Sequence, residues 1–366
     1  MQLINATRML VGYTMGLEPS GRELLVVAIK GTFRLPAESG SAVQLHEAQA
    51  PLVMADVFSA DPGFSAPLYE VDYAPRKPMC DVLLNGSAYA PLGKRANRVQ
   101  VGLRVGSLVK QFNVVGDRAW EVTRGRTRAT PPQSFTKMPI SYDVAFGGVD
   151  RSHSDANKHA AYLSNPVGRG FIANLNDPSF DGKPLPNTEE IDRPVDRGDG
   201  GYEPMSFGPV GRNWLPRAGY AGTYDQEWTD NVFPFLPADF DERYYQSAPA
   251  DQQIALPIGS PEVVLSNLTP DGLRRFTLPN FEAPVHVFPK RGEREDLKAT
   301  LDTIVIEPDL ERLTLTWRVA RPLRKSMHEI AQVLVGKKGR DWWQQREEVA
   351  FPIPVVMVPM ERAETA

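Results

Sequence analysis

The chain of 366 residues contains a single cysteine, Cys80. No intrachain disulfide can form, and a cysteine-rich zinc site is excluded. The five histidines, His46, His153, His159, His286 and His328, show no ligand spacing on a helix, and no His-Glu-x-x-His run occurs. A phosphate-binding G-x-x-x-x-G-K-[ST] loop and a G-x-S-x-G nucleophile elbow are both missing. With no metal, cofactor or catalytic constellation in view, the expectation is a protein that is not an enzyme. Positive charge is also short: the net charge is −4 and the pI about 5.9, which leaves no footprint for nucleic acid. Arg124–Arg128 and Lys337–Arg340 are local basic clusters, read as solvated faces. The apolar stretch Leu24–Ile29 is far too short to span a bilayer. Asn5 and Arg8 break the apolar character of the first residues, unlike a secretory signal. A soluble cytoplasmic protein with no membrane partner is the expectation.

What is abundant is proline, at 33 residues, and glycine, at 29, beside an ordinary hydrophobic fraction of 42%. That combination predicts many turns around a normal core. Both ends of the chain alternate with period 2. Leu25, Val27, Ile29, Phe33 and Leu35 fall on one face of a strand, with Lys30, Thr32 and Arg34 on the other. Val99, Val101, Leu103 and Val105 repeat the pattern, and Gly116–Arg118 reads as a turn. Asn85-Gly86 is a strong hairpin signal. Ile304 and Ile306, a turn at Pro308-Asp309, then Leu313, Leu315, Trp317 and Val319 predict a second hairpin. Its polar face, Arg312, Thr314, Thr316 and Arg318, is expected to meet water. Residues 326–336 are compatible with strand or helix, and 341–350 read as a short helix. The fold class is mainly β: two strand-rich, sandwich-like regions, 1–130 and 258–366, flank 131–257, a region of long ordered loops and short helices. One intertwined domain is compatible with this division.

The middle region holds the densest chemistry. Between Tyr224 and Tyr245, aromatics alternate with Asp225, Glu227, Asp230, Asp239, Asp241 and Glu242, and Pro234 and Pro237 forbid one long helix. Asp225 and Asp239 fit as N-caps of two short helices. Aromatics beside carboxylates suit a carbohydrate-binding or glycoside-processing site. They equally suit a rigid protein-binding surface or a self-packed scaffold.

Several phrases taken in order are similar to a bacterial family long labelled only as a domain of unknown function. They are AQAPLVMADVF (48–58), DYAPRKPMCDVLLNGSAYAP (72–91), VGDRAW (115–120), MPISYDVAFGG (138–148), NPVGRGF (165–171), LPNTE (185–189), GPVGRNWLPRAGYAGTYDQEW (208–228) and LPADFDERYYQSAPADQQ (236–253). Members of that family are encoded beside type VI secretion genes, especially those for PAAR tip proteins and VgrG spikes. The resemblance implies an adaptor or chaperone that binds a toxic effector and helps load it onto the PAAR or VgrG tip. It supplies no catalytic residues. On this reading Trp228, Phe240, Tyr244 and Trp342 are candidate exposed anchors for the partner, with Arg217 as a charged companion. Each has an alternative role as a core or loop-packing residue.

Overall fold

The computed structural model describes residues 1–123, 126–175, 180–257 and 259–344. In chain order, the principal strands of the two main sheets are β1 (Gln2–Asn5), β2 (Leu10–Leu17), β3 (Glu23–Arg34), β4 (Cys80–Leu84), β5 (Arg98–Val105), β6 (Leu108–Val115), β7 (Thr188–Glu189), β8 (Glu262–Ser266), β9 (Leu273–Thr277), β10 (Ala283–Pro289), β11 (Glu295–Glu307), β12 (Arg312–Pro322) and β13 (Ile330–Val335); the two-residue strands Gln44–Leu45 and Gln253–Ile254 add to β3 and β4.

The larger sheet runs β1-β13-β10-β11-β12-β3-β2. The long strand β11 pairs with β10 up to Ala299 and then, from Thr303, lies parallel to β4. The smaller sheet runs β7-β6-β5-β8-β9. Strands from the two ends of the chain interleave in both sheets. β3 pairs with β12 along its length, from Arg34↔Arg312 to Leu24↔Pro322, and β5 pairs with β8. The protein is mainly β, as its alternation predicts, and the sheets face each other across one core. Leu25, Val27 and Ile29 of β3, Leu313, Leu315 and Trp317 of β12, Val99, Val101 and Leu103 of β5, and Val333 and Val335 of β13 meet there.

The hairpin after Ile306 forms, with Ile306 opposite Leu313. Residues 326–336 resolve as a short 3-10 turn, Met327–Glu329, followed by strand β13. Residues 340–344 are helical, and the rest of the helix expected there lies outside the described residues.

Two expectations fail. Asn85-Gly86 makes no hairpin: β4 goes to β11, while Gly86–Tyr89 pairs with Lys137–Ile140. The Asn85 backbone N–H donates to Ile306 O at 3.0 Å and its side chain donates to Leu68 O at 2.9 Å. The chain is thereby carried straight on, out of one sheet and into another ladder. The second failure is the polar face of β3 and β12. Lys30, Thr32, Thr314, Thr316 and Arg318 are all buried. A second layer of chain covers them. Gln49 bonds both backbone groups of Thr32, and Ala50 N–H donates to Thr32 Oγ1 at 2.8 Å. Arg318 Nε donates to Asp72 O at 2.6 Å.

Burial on both faces changes the expected cost of substitutions. Trp317 packs edge-on against Phe281 at 5.3 Å, and Trp317→Ala should cost about 3–5 kcal/mol. Thr316, whose Oγ1 donates to Asp72 Oδ1 at 3.3 Å, should not behave as a surface residue. Thr316→Ala is expected to cost about 1–2 kcal/mol, because a buried carboxylate loses a donor. Urea melts of both variants measure this. A Thr316→Ala loss under about 0.5 kcal/mol, the range for exposed positions, would contradict a buried polar layer.

Candidate functional site

The aromatic-acidic stretch folds into a compact arm. Asp225 caps α1 (Gln226–Asn231), its carboxylate accepting from Trp228 N–H at 2.9 Å. The helix ends at Val232, and Pro234 and Pro237 follow, which cannot supply the N–H groups to continue it. The chain then turns back so that Trp228 Nε1 donates to Phe235 O at 2.9 Å. Tyr224 and Phe233 meet the Trp228 ring edge-on at 4.8 and 5.5 Å. Trp228 is thus the half-buried hub of a small cluster whose outer members face solvent: Tyr224 is 52%, Phe233 65% and Phe235 45% exposed. Phe235 lies over Gly21 in the turn between β2 and β3. A Cβ there would meet its ring at 2.6 Å, and the φ of +78° also favours glycine.

The next turn carries a second aromatic cluster. Phe240 packs on Tyr244 at 5.8 Å and on Tyr245 at 5.4 Å. The cap of the 3-10 turn Glu242–Tyr245 is Asp241, which accepts from Arg243 N–H at 2.8 Å. Asp239, expected in that role, instead accepts from Thr223 N–H and Oγ1 at 2.9 and 2.7 Å and ties the two ends of the arm together. Those bonds hold the Asp239 carboxyl below the usual carboxylate range.

Beneath the arm lies a seam of buried charge, and Arg217 belongs to it. Arg217 is buried, which corrects its reading as an exposed companion. Its guanidinium donates to Glu70, to Val210 O at 2.7 Å and to Tyr244 O at 2.9 Å. Glu70 also faces Arg212 at 2.7 Å and Lys77 at 3.6 Å. Lys77 reaches Asp81 at 2.6 Å, and Asp81 accepts from Gln246 Nε2 at 2.6 Å and Ser247 N–H at 2.8 Å. Lys30 pairs with Asp72 at 2.8 Å and Arg318 with Asp302 at 2.5 Å. Burial alone would push the Glu70 carboxyl up, but Arg217, Lys77 and Arg212 outweigh it and hold it low. For Asp302 burial wins over Arg318 and Lys77, and its carboxyl is pushed up.

The structure therefore gathers Arg217, Phe240 and Tyr244 at the base of the arm and sets Trp228 at its centre. Trp342 sits elsewhere, half-buried against Phe288 of β10 and Trp343. The most exposed aromatics of the arm, Phe233, Tyr224 and Phe235, were not among the expected anchors. The sequence signal for them was Pro234, which stops the helix and leaves its neighbours at a tip. A cleft of about 610 Å³ opens beside the arm, with Tyr142, Tyr202, Tyr220 and Lys110 among its walls. Its lysine is already held by Asp251 at 2.9 Å and Gln252 at 2.8 Å. Among the described residues, no group of three or more His, Cys, Asp or Glu side chains is placed to hold a metal ion, and no helix is long and apolar enough to cross a membrane.

The chain belongs to the bacterial family described as "Uncharacterized protein conserved in bacteria (DUF2169)", whose model matches residues 20–318. No curated protein and no solved structure matches it.

The seam makes a signed prediction for pH. Glu70 is held below its ordinary value when folded, so the unfolded chain takes up the proton first as pH falls. The stability it contributes is present above its unfolded pKa and is lost as pH falls through the folded one. Asp302 has the opposite sign: its contribution is present below its unfolded pKa and is lost as pH rises through its raised folded value. In urea melts between about pH 5 and about pH 3, Glu70→Gln should flatten the loss of stability on acidification, and Asp302→Asn should steepen it. Parallel curves for both variants and the parent would show that neither shift exists.

Proposed function

We propose that this protein is a type VI secretion adaptor or chaperone: a cytoplasmic protein without catalysis of its own that binds a toxic effector and helps load it onto the PAAR or VgrG tip. Two things support the reading. One is the ordered set of phrases that resemble the secretion-associated family. The other, which carries the choice of site, is the exposed cluster Tyr224, Phe233 and Phe235 around Trp228. Large aromatic side chains held in place by a capped helix and an indole hydrogen bond offer contact area at little entropy cost, as interface anchors do. The same stretch gives a sugar-cleaving site less support. Asp225, Asp239 and Asp241 each accept a backbone N–H, and Asp241 is further engaged by Arg243 at 2.6 Å.

Co-purification with the products of adjacent secretion genes tests the reading directly. A specific complex should form without nucleotide or metal and bury more than about 1,000 Å². Phe233→Ala and Phe235→Ala should weaken it by roughly 2 kcal/mol each, about 30-fold, with a loss of fold stability well below that, since both rings are largely exposed. Arg217→Ala should instead lower the melting temperature. Empty pull-downs at micromolar concentration, together with intact effector delivery after gene deletion, would reject the adaptor function. Binding that survives both phenylalanine changes would reject the arm as its site.

A further inference from the structure

The cleft beside the arm, at about 610 Å³, has the size of an ordinary small-ligand site. Strand β6 supplies Lys110 to its wall, the 3-10 turn Tyr142–Val144 supplies Tyr142, and the 3-10 turn Ala250–Gln252 supplies Asp251. The cations of the cleft are already matched. Lys110 is held by Asp251 and Gln252. Arg193 faces Glu190 at 3.7 Å, donates to Gly201 O at 2.9 Å and lies over the Tyr202 ring at 4.8 Å. Arg243 bonds Asp241 at 2.6 Å and lies over the Tyr220 ring at 4.2 Å. Arg217 belongs to Glu70.

Removing these pairs leaves one charge over. Glu190, Glu203 and Asp251 are the carboxylates that line the cleft. Glu190 faces Arg193, and Asp251 faces Lys110. The Glu203 carboxylate makes no ion pair and accepts no hydrogen bond among the described residues. It is close enough for its charge to act on Lys110, Tyr142 and Tyr162. The second unmatched group is the Tyr142 hydroxyl. Tyr142 is 4% exposed, and its ring is fixed among Ala66, Ala145, Val210 and Trp214, with Trp214 edge-on at 5.4 Å. It lines the cleft, yet among the described residues its hydroxyl has no hydrogen-bond partner. Burial pushes that hydroxyl up, and Asp251 and Glu203 add to the effect, so it stays protonated at neutral pH. A phenylalanine would fill the same space without leaving a polar group unmatched.

A carboxylate and a hydroxyl on separate elements are acceptors for a cation. A guanidinium holds its donors in one plane and matches the two oxygens of a single carboxylate. A primary ammonium donates in three directions and can meet both groups at once. A quaternary ammonium needs open aromatic faces, and Arg193 and Arg243 already cover faces of Tyr202 and Tyr220. Pro204, Val210, Leu215 and Pro249 give the walls apolar surface along which an alkyl stem can lie.

We propose that this cleft binds a primary ammonium group at the end of an alkyl chain, with Glu203 and Tyr142 as its acceptors. The tip aromatics Tyr224, Phe233 and Phe235 do not line it, so the site stands whether or not the arm docks an effector.

Calorimetric titration of the full-length chain tests this with two probes, cadaverine and the tripeptide acetyl-Ala-Lys-Ala-amide. Saturable binding of at least one is expected at concentrations up to about 10 mM. Preference for cadaverine names a free amine as the ligand, and preference for the tripeptide names a lysine side chain; either supports the site. Glu203→Gln should weaken the bound probe at least about tenfold and Tyr142→Phe about fivefold. Glu227→Gln, an exposed change outside the cleft, should leave binding as it is. Tyr142→Phe should not lower the melting temperature, because the hydroxyl gives the fold no bond. Failure of both probes to bind overturns the proposal, as does equal binding by the tripeptide with its lysine side chain acetylated. Parent-like affinity in both Glu203→Gln and Tyr142→Phe puts any binding elsewhere and rejects the site. A lowered melting temperature in Tyr142→Phe shows that the hydroxyl serves the fold, and rejects it too.

Discussion

The arrangement depends on one constraint: charges taken out of water must be paired. Glu70, Asp72, Asp81 and Asp302 are withdrawn from solvent together with Lys30, Lys77, Arg217 and Arg318. An unpartnered member would cost several kcal/mol, and removing one partner of such a pair typically costs about 3–5 kcal/mol. The seam does not by itself make the fold more stable than an apolar layer of equal volume would. What it does is reject wrong arrangements. The draping of residues 49–78 and 205–247 over the sheet satisfies Lys30 through Asp72, Lys77 through Asp81 and Arg217 through Glu70 at the same time. The polar residues of β3 and β12 are the sheet's half of that code.

The arm inherits its position from the seam. Arg217 bonds Tyr244 O and Val210 O with the same guanidinium that meets Glu70. The start of the arm is thereby fixed to the middle of the sheet, and Asp239 closes it by holding Thr223. The phrases that carry the family resemblance have a comparable task in their own places. Asn165 is buried and donates to Tyr142 O and Phe146 O. Gly147 and Gly168 sit so close to Asn165 that a side chain on either would collide with it. Arg118 reaches Glu189 at 2.9 Å from the far side of the β6–β7 ladder. These residues make a loop-rich region rigid. The exposed aromatics at the arm's tip stand on that rigidity.

Much of the frame was legible in the sequence, and the misses share a cause. The period-2 runs located β3, β5 and β12, and Asp225 announced α1, because strand faces and helix caps are local properties. Alternation reports which face of a strand is polar. It says nothing about what lies against that face. Thr316 therefore looked solvent-facing, although Asp72, 244 positions away in sequence, covers it. Arg217 looked like a free cation for the same reason, its carboxylate partner being 147 positions distant. At Asn85-Gly86 local turn chemistry pointed to a hairpin, but two hydrogen bonds to distant carbonyls and the parallel pairing of β4 prevailed. Trp342 was visible as a large aromatic, and only its packing on Phe288 shows that it stands apart from the arm.

The family match covers residues 20–318, and every member of the seam lies within it, from Lys30 to Arg318. β1, β2, β13 and the tail lie outside. The match thus covers the whole seam, while β13, outside it, still supplies Val333 and Val335 to the core. A partner that docks on the arm meets a surface fixed by ion pairs deep in the protein, so binding there needs little ordering of the chain.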